Sequence, residues 1–366
     1  MAGDAMILVD TPTTPTSTAA KLTVIITTSI TPSAPSTELL SAILESFGIH
    51  CNELLGCNVT VVFDSYDKVV PRAQLKKGRV TAEQARDFSL YKENVKKLIL
   101  EHYYGGEEAT FSQTDAEAEY GCPFHEYSVP YTIMQSHDKK VTFIEPSIRL
   151  GFGLAVRSAL RIIDTPYVWV QQHDWALVSD FPIRPLLKVM EDSETGPVPV
   201  KYVCLPAVRM LSYDESPFVQ YYPALRALTS SLKRDFSPDP VAAPGDEKIP
   251  LTPLFFWHDK PHVASTAHYL SRIFPSRIAM LRGDFIEDKI GQRARDQMKE
   301  GHWEKWATWL YCPGGGKQVC LKHLHGRTFR GADEEAKRAA MHRKRNLEKR
   351  EEVETSDVSE SVSEDN

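Results

Sequence analysis

The stretch from Asp164 to Leu177, DTPYVWVQQHDWAL, constrains this chain more than any other. Pro166 ends whatever element precedes it, and Tyr167-Val168-Trp169-Val170 is an unbroken β-branched and aromatic run. A run without polar alternation suits a strand covered on both faces, as parallel strands of an α/β sheet are. The run then gives way to Gln171, Gln172, His173 and Asp174, followed by Trp175. Ionisable groups at the carboxyl end of such a strand stand where open α/β sheets bind ligands. A solvated turn would read the same in isolation, so the weight falls on whether other strands end in the same way.

They do. Lys21–Thr28 (KLTVIITT) predicts a first buried strand, followed by a Ser/Thr/Pro loop. Pro35-Ser36-Thr37-Glu38 then opens a helix with Leu39, Leu40, Ile43, Leu44 and Phe47 at helical spacing, and Gly48 is expected to end it. Asn58–Phe63 predicts a second strand running directly into Asp64, with Asp67 close behind. The spacing is that of a right-handed β–α–β crossover. Thr81 and Gln84 have capping-box spacing at the head of a helix reaching about Tyr103.

The polar segment 105–138 reads as an elaborated loop or lid. Val141–Ile144 predicts a strand, and 145–163 a helix with Ile148, Phe152, Ala155, Ala159 and Ile163 on one face. Gly151 and Gly153 sit in its first turns, a weak place for glycine unless the backbone must approach something closely. Downstream, Ile183–Met190 reads as a helix, Val198–Leu205 as a strand and Phe218–Leu232 as helical. A Pro/Asp-rich loop spans 237–250, and Val263, Ala267, Leu270 and Phe274 suggest a helix. Arg277–Leu281 is taken as a last strand before an amphipathic helix from Glu287 to Gly301. Thr308–Tyr311 and Gln318–Leu321, joined through Gly314-Gly315-Gly316, read as a hairpin; the triple glycine is no phosphate loop, because no Gly-Lys-Ser/Thr opens a helix there.

The formal net charge of −6 supplies no overall basic field for nucleic acid. Six cysteines without CxxC spacing suit free thiols in a reducing compartment. Residues 1–20 lack the basic and apolar regions of a signal peptide, and no apolar run is long enough to span a bilayer, so a soluble, cytoplasmic protein is expected. The expected organisation is a disordered lead-in (1–20), one α/β domain (21–330, with a nucleotide half to about 180 and an acceptor half from 181), and a basic helix with an acidic disordered tail (331–366).

Acids therefore follow three segments: Asp64, Asp174 and the pair Glu287-Asp288. Such a set suits group transfer from a nucleotide diphosphate. One carboxylate accepts from base or ribose, another holds a divalent cation against the diphosphate, and a third takes a proton from the acceptor. Each also has a plain reading, Asp64 as a turn or cap and Glu287-Asp288 as first-turn helix acids.

In this order, KLTVIITTSI, VTVVFDSYD, RLGFGLAVRSALRIIDTPYVWVQQHDW and FIEDKIGQR resemble the signposts of GT-A-fold glycosyltransferases of the family-2 type, over roughly residues 21–327. The resemblance implies a GT-A-like, Rossmann-like, mostly parallel central sheet flanked by helices, with a C-terminal acceptor-side region. It implies that Thr27, Thr28 and Asp64 line the nucleoside pocket, that Arg157, Gln172 and His173 approach the nucleotide-sugar, and that Asp174 ligates Mn2+ or Mg2+ with help from His323 or His325. Asp288, beside Glu287, would be the catalytic base. The first Asp of the usual Asp-x-Asp is Gln172 here, a poorer ligand for a hard cation. The Gln-x-x-Arg-Trp signature of processive synthases is absent, so single transfer is expected, with a UDP-sugar the leading donor and the acceptor unidentified. Trp257, His258 and Asp259, with His262 after Pro261, on a Pro-bounded loop, are either an acceptor wall or packing and capping. Lys322, Arg327 and Arg330 either grip the diphosphate or form a solvated face. A sugar-phosphate nucleotidyltransferase and a non-catalytic nucleotide- or glycan-binding descendant of the fold remain the alternatives.

Overall fold

The structure is a computed structural model describing residues 18–122, 124–237, 248–341 and 343–345. The lead-in through residue 17, most of the Pro/Asp loop and the acidic tail lie outside the described residues. Eleven strands form one sheet: β1 (Leu22–Ser29), β2 (Asn58–Asp64), β3 (Phe111–Cys122), β4 (His125–Ser136), β5 (Val141–Pro146), β6 (Tyr167–Gln172), β7 (Tyr202–Cys204), β8 (Arg234–Phe236), β9 (Ile249–Pro253), β10 (His262–Ser265) and β11 (Thr308–Tyr311). Their order is β8-β9-β11-β7-β10-β6-β1-β2-β5-β4-β3.

The centre β6-β1-β2-β5 is parallel, as the unbroken apolar runs demand. β10 joins β6 antiparallel and β4 joins β5 antiparallel. Register sets up the site. Ser29 pairs with Asp64 across β1–β2, and Thr27 with Gln172 across β1–β6, so three parallel strands end at one rim.

Helices packed around this sheet include α1 (Glu38–His50), α2 (Ala82–Tyr104), α3 (Phe152–Leu160), α4 (Ile183–Asp192), α5 (Pro217–Tyr221), α6 (Pro223–Leu232), α7 (Thr266–Arg272) and α8 (Gln292–Lys299). In α1, Leu40, Ile43, Leu44 and Phe47 are fully buried at the expected spacing. Gly48 does not end the helix, which runs on to His50. The Thr81 capping box forms in full at the head of α2.

Five expectations need correction. Segment 105–138 is not a loop or lid: β3 and β4 make a long antiparallel hairpin at the sheet edge. The helix expected over 145–163 begins only at Phe152, because Glu145 and Pro146 belong to β5 and 147–151 form a loop; Ile148 is accordingly exposed. Val263 lies in β10, not in a helix. Arg277–Ala279 is a 3-10 turn rather than a strand. Thr308–Tyr311 and Leu321–His323 are not a hairpin, since β11 lies in the main sheet while Leu321–His323 pairs with Trp175–Leu177 in a separate two-stranded ribbon. Gly314 and Gly315 take left-handed backbone conformations in the turn between them. Residues 332–341 and 343–345 of the expected basic helix are helical.

Candidate active site

The rim where β1, β2 and β6 end opens into two chambers that share walls. The inner one, about 120 Å³, is lined by Thr27, Thr28, Asp64, Arg149 and His173 among others. The outer one, about 530 Å³, is lined by Trp175, Asp259, Lys260, Glu287, Asp288, His323 and His325. Lys76, Gln172, Asp174, Phe285 and Arg327 face both, so the two form one cleft. The outer volume falls within the roughly 300–1,000 Å³ of small-molecule sites. Asp64, Asp174 and Asp288, far apart in the chain, thus meet along a single cavity.

The inner wall is built on glycine. Asp64 Oδ1 accepts from the Leu150 N–H at 2.6 Å, and both its oxygens accept from the Gly151 N–H at 3.1–3.2 Å. Enclosure pushes the carboxyl up to about 6 against those donors. Gly151 has φ +81, and a Cβ there would stand 2.5 Å from the Cα of Gly283. The close approach anticipated for this glycine is to another backbone. Thr28 pairs its hydroxyl with that of Tyr91 at 2.6 Å, and the Thr27 hydroxyl contacts the Gln171 carbonyl at 3.4 Å.

At the end of β6, His173 is turned inward: its Nδ1 accepts from the Ser29 N–H at 3.2 Å. Burial pulls its pKa below the usual imidazole value. Asp174 is 8% exposed. Its Oδ2 faces His323 Nε2 at 3.1 Å and accepts from the Gly326 N–H at 3.1 Å. Burial works to raise its pKa, but the His323 hydrogen bond, the neighbouring imidazoles and the Gly326 N–H bring it below the ordinary carboxylate value. His323 reaches this place through the ribbon that sets it opposite Trp175, whose ring it stacks on at 4.4 Å. His325 lies against His323 with ring centroids 4.3 Å apart.

The donor set fits a divalent cation in one form only. Among the described residues no group of three or more His, Cys, Asp or Glu side chains is arranged to hold a metal ion. Asp174 and His323 are nonetheless 3.1 Å apart, close to the ~3.0 Å edge of an octahedron with ~2.1 Å bonds. Carboxylate and imidazole are donors that Mn2+ accepts. Gln172 donates its Nε2 to the Asp259 carbonyl at 2.8 Å.

On the outer wall, Glu287 Oε2 accepts from the Asp259 N–H at 3.2 Å and lies 3.4 Å from His258 Nδ1 and 3.9 Å from Lys260 Nζ. Burial acts to raise its pKa, but the His258 hydrogen bond, the neighbouring charges and the Asp259 N–H outweigh it and hold the carboxyl at about 2. Burial keeps His258 below its usual value, so at neutral pH the contact is imidazole to carboxylate. Asp288 is exposed on the same wall.

Three expected site residues line neither chamber. Arg157 is 1% exposed in α3 and lines neither chamber; its electrostatic neighbours are Arg161, Glu119 and Tyr131. Trp257 is fully buried against Tyr202 and Tyr269, and the aromatic side chains lining the outer chamber include Trp175 and Phe285. His258 is partly buried beside Glu287 rather than lining the wall.

The sequence reading missed Lys76, Arg149 and Lys260, and left Asp259 and Arg327 undecided. Lys76, Arg149 and Arg327 line the inner chamber, and among the described residues none of them forms an ion pair. Their only advance signal was position, Arg149 two residues before Gly151 and Lys76 in the basic excursion after Asp67.

No protein-family model matches the sequence, and no curated protein matches it. Among solved structures the chain is similar to residues 1–349 of TarS from S. aureus, with 11% identity over 82% of this chain and 59% of that one, at a TM-score of 0.37. The mannosyltransferase PcManGT from Pyrobaculum calidifontis, in complex with GDP-Man and Mn2+, is 12% identical over 82% of this chain and 59% of its own, at 0.36. Glucosyl-3-phosphoglycerate synthase from Mycobacterium tuberculosis, in complex with Mn2+, UDP and glucosyl-3-phosphoglycerate, is 10% identical over 87% and 75%, at 0.36. The chain thus spans about three fifths of the length of the first two.

Proposed function

We propose that this chain is a glycosyltransferase that moves one sugar from a nucleotide-diphosphate sugar, with a UDP-sugar the leading donor, to an acceptor hydroxyl. One observation carries the reading: Lys76, Arg149 and Arg327, none of them in a salt bridge among the described residues, line the inner chamber, where Asp64 and Asp174 already accept from Gly151, His323 and Gly326. Three cations gathered on one partly enclosed chamber suit a multiply charged anion, and a diphosphate is of that class.

In this reading Thr27, Thr28 and Asp64 border the nucleoside, and Lys76, Arg149 and Arg327 take the diphosphate. Asp174 and His323, with His325 beside them, would hold Mn2+ or Mg2+, which when bound offsets charge on the leaving diphosphate. Asp288, the exposed carboxylate of the outer wall, removes the acceptor proton. Glu287, held at about 2 by its donors, is too weak a base for that task and serves to fix the wall. Trp175 offers the acceptor an aromatic face. Among the described residues no helix is long and apolar enough to cross a membrane, and five cysteines are buried and free, which supports action in a reducing compartment such as the cytoplasm.

The test is a thermal-shift panel of UDP-, GDP- and dTDP-sugars, followed by nucleoside diphosphate release with and without Mn2+. Release that needs the metal and vanishes in Asp174→Ala is the expected result. Binding without release under any condition would replace the transferase with a non-catalytic binder.

A further inference from the structure

The outer wall holds a clasp that the transferase reading does not use. Asp259 and Glu287 bond each other reciprocally, side chain to backbone. Asp259 Oδ1 accepts from the Glu287 N–H at 3.1 Å, and Glu287 Oε2 accepts from the Asp259 N–H at 3.2 Å. Asp259 is 4% exposed, and its Oδ2 has no partner among the described residues. The Asp259 carbonyl receives the Gln172 Nε2 at 2.8 Å. Three segments that never meet in the sequence are thus knotted at one residue: the end of β6, the loop before β10, and the turn Glu287–Gly291 that starts α8.

We infer that Asp259 is a positioning residue, which with Gln172 fixes the turn carrying Asp288 against the strand end carrying Asp174. Gln172, odd as a metal ligand, is apt here: an amide donates to a carbonyl, whereas an Asp or Glu would set one acceptor oxygen against another. The departure from Asp-x-Asp is then a substitution of role, from ligand to tie. The clasp also ties a residue that borders both chambers, Gln172, to one that borders only the outer, Asp259. The catalytic consequence rests on the transferase reading above; the structural consequence does not.

The test separates the two. Hydrogen exchange is followed on peptides covering residues 284–292 in wild type, Asp259→Ala, Asp259→Asn and Gln172→Glu. Loss of the bond to the Glu287 amide should raise exchange there about tenfold in Asp259→Ala, and Gln172→Glu, which unties the Asp259 carbonyl from the end of β6, should raise it in the same direction, leaving α2 unchanged. Asp259→Asn keeps an acceptor oxygen and should stay near wild type. Unchanged protection in Asp259→Ala, or equal loss in Asp259→Asn, overturns the proposal. If Asp259→Ala fails to fold, Gln172→Glu and Asp259→Asn decide it by the same contrast. Where wild type turns over a nucleotide-sugar, Asp259→Ala should lower kcat about 10²-fold with donor KM nearly unchanged, and Asp259→Asn should recover it. A wild type that releases no diphosphate defeats the transferase reading, while the exchange result still decides whether the clasp positions the turn.

Discussion

Replacing Gly151 with alanine should destabilise the protein by about 2–6 kcal/mol, while the same change at Gly153 should stay within about 1 kcal/mol of wild type. The two glycines are one residue apart, and their surroundings differ in kind. Gly151 has φ +81 and ψ 162, a region essentially closed to side chains, worth ~1–3 kcal/mol of strain. Its added Cβ would stand 2.5 Å from Gly283 Cα, 2.7 Å from its N and 2.8 Å from its C, all backbone, so the two loops must part. Overpacking of that sort adds about 1–3 kcal/mol. Parting also weakens the Gly151 N–H bond to the Asp64 carboxyl, which anchors the inner wall.

At Gly153 a Cβ meets Met280 Cγ and Sδ at 2.7 Å, the far part of a flexible side chain. Helix propensity favours alanine there by up to ~1 kcal/mol and offsets the shift of Met280. Denaturant midpoints and thermal melts of both variants provide the assay, and Gly151→Ala should melt at least roughly 3 °C below wild type. Equal stability of the two variants, or a Gly151→Ala variant within about 0.5 kcal/mol of wild type, would refute the close-approach argument.

Asp288→Asn should bind donor as wild type does yet lose roughly 10²–10⁴-fold in turnover; unchanged turnover would remove Asp288 as the base. The Asp64 carboxyl, raised from an ordinary value near 3.8 to about 6, favours its protonated form in the fold. Its contribution to stability is therefore fully present below about pH 3.8 and lost as pH rises through 6, amounting to no more than about 3 kcal/mol. Urea midpoints of Asp64→Asn against wild type between pH 4 and 7 check this, and an identical pH slope in the two proteins would contradict it.

Much of the inner cleft was legible because its signals are local. Tyr167–Val170 and Asn58–Phe63 are apolar runs that end in acids, and parallel pairing to β1 necessarily brings those ends together. The glycines of the 145–163 segment announced a close approach without naming the partner. What the sequence hid lies where folding, not periodicity, makes the neighbourhood. The β3–β4 hairpin is mostly exposed at the sheet edge, so FSQTDAEAEYGC carries no apolar run to betray it. β10 is four residues long and runs straight into α7, which merges its pattern with the helix. Lys76, Arg149 and Arg327 converge across some 250 residues of chain, and no spacing rule connects them. Trp257 looked like a sugar platform because a Pro-bounded loop suggests exposure, yet its indole packs on Tyr202 with ring centroids 4.2 Å apart.

The ribbon that sets His323 opposite Trp175 carries an implication for how the protein is made. When a ribosome has released the strand bearing Asp174, Thr27, Thr28 and Asp64 of the inner chamber are already made, but the Asp174 carboxylate still lacks both His323 and the Gly326 amide. Those partners arrive about 150 residues later, which at ~5–20 residues per second is a wait of about 8 to 30 seconds. The surroundings of Asp174 are therefore completed late in synthesis, by a short segment that buttons a late part of the fold onto an early one.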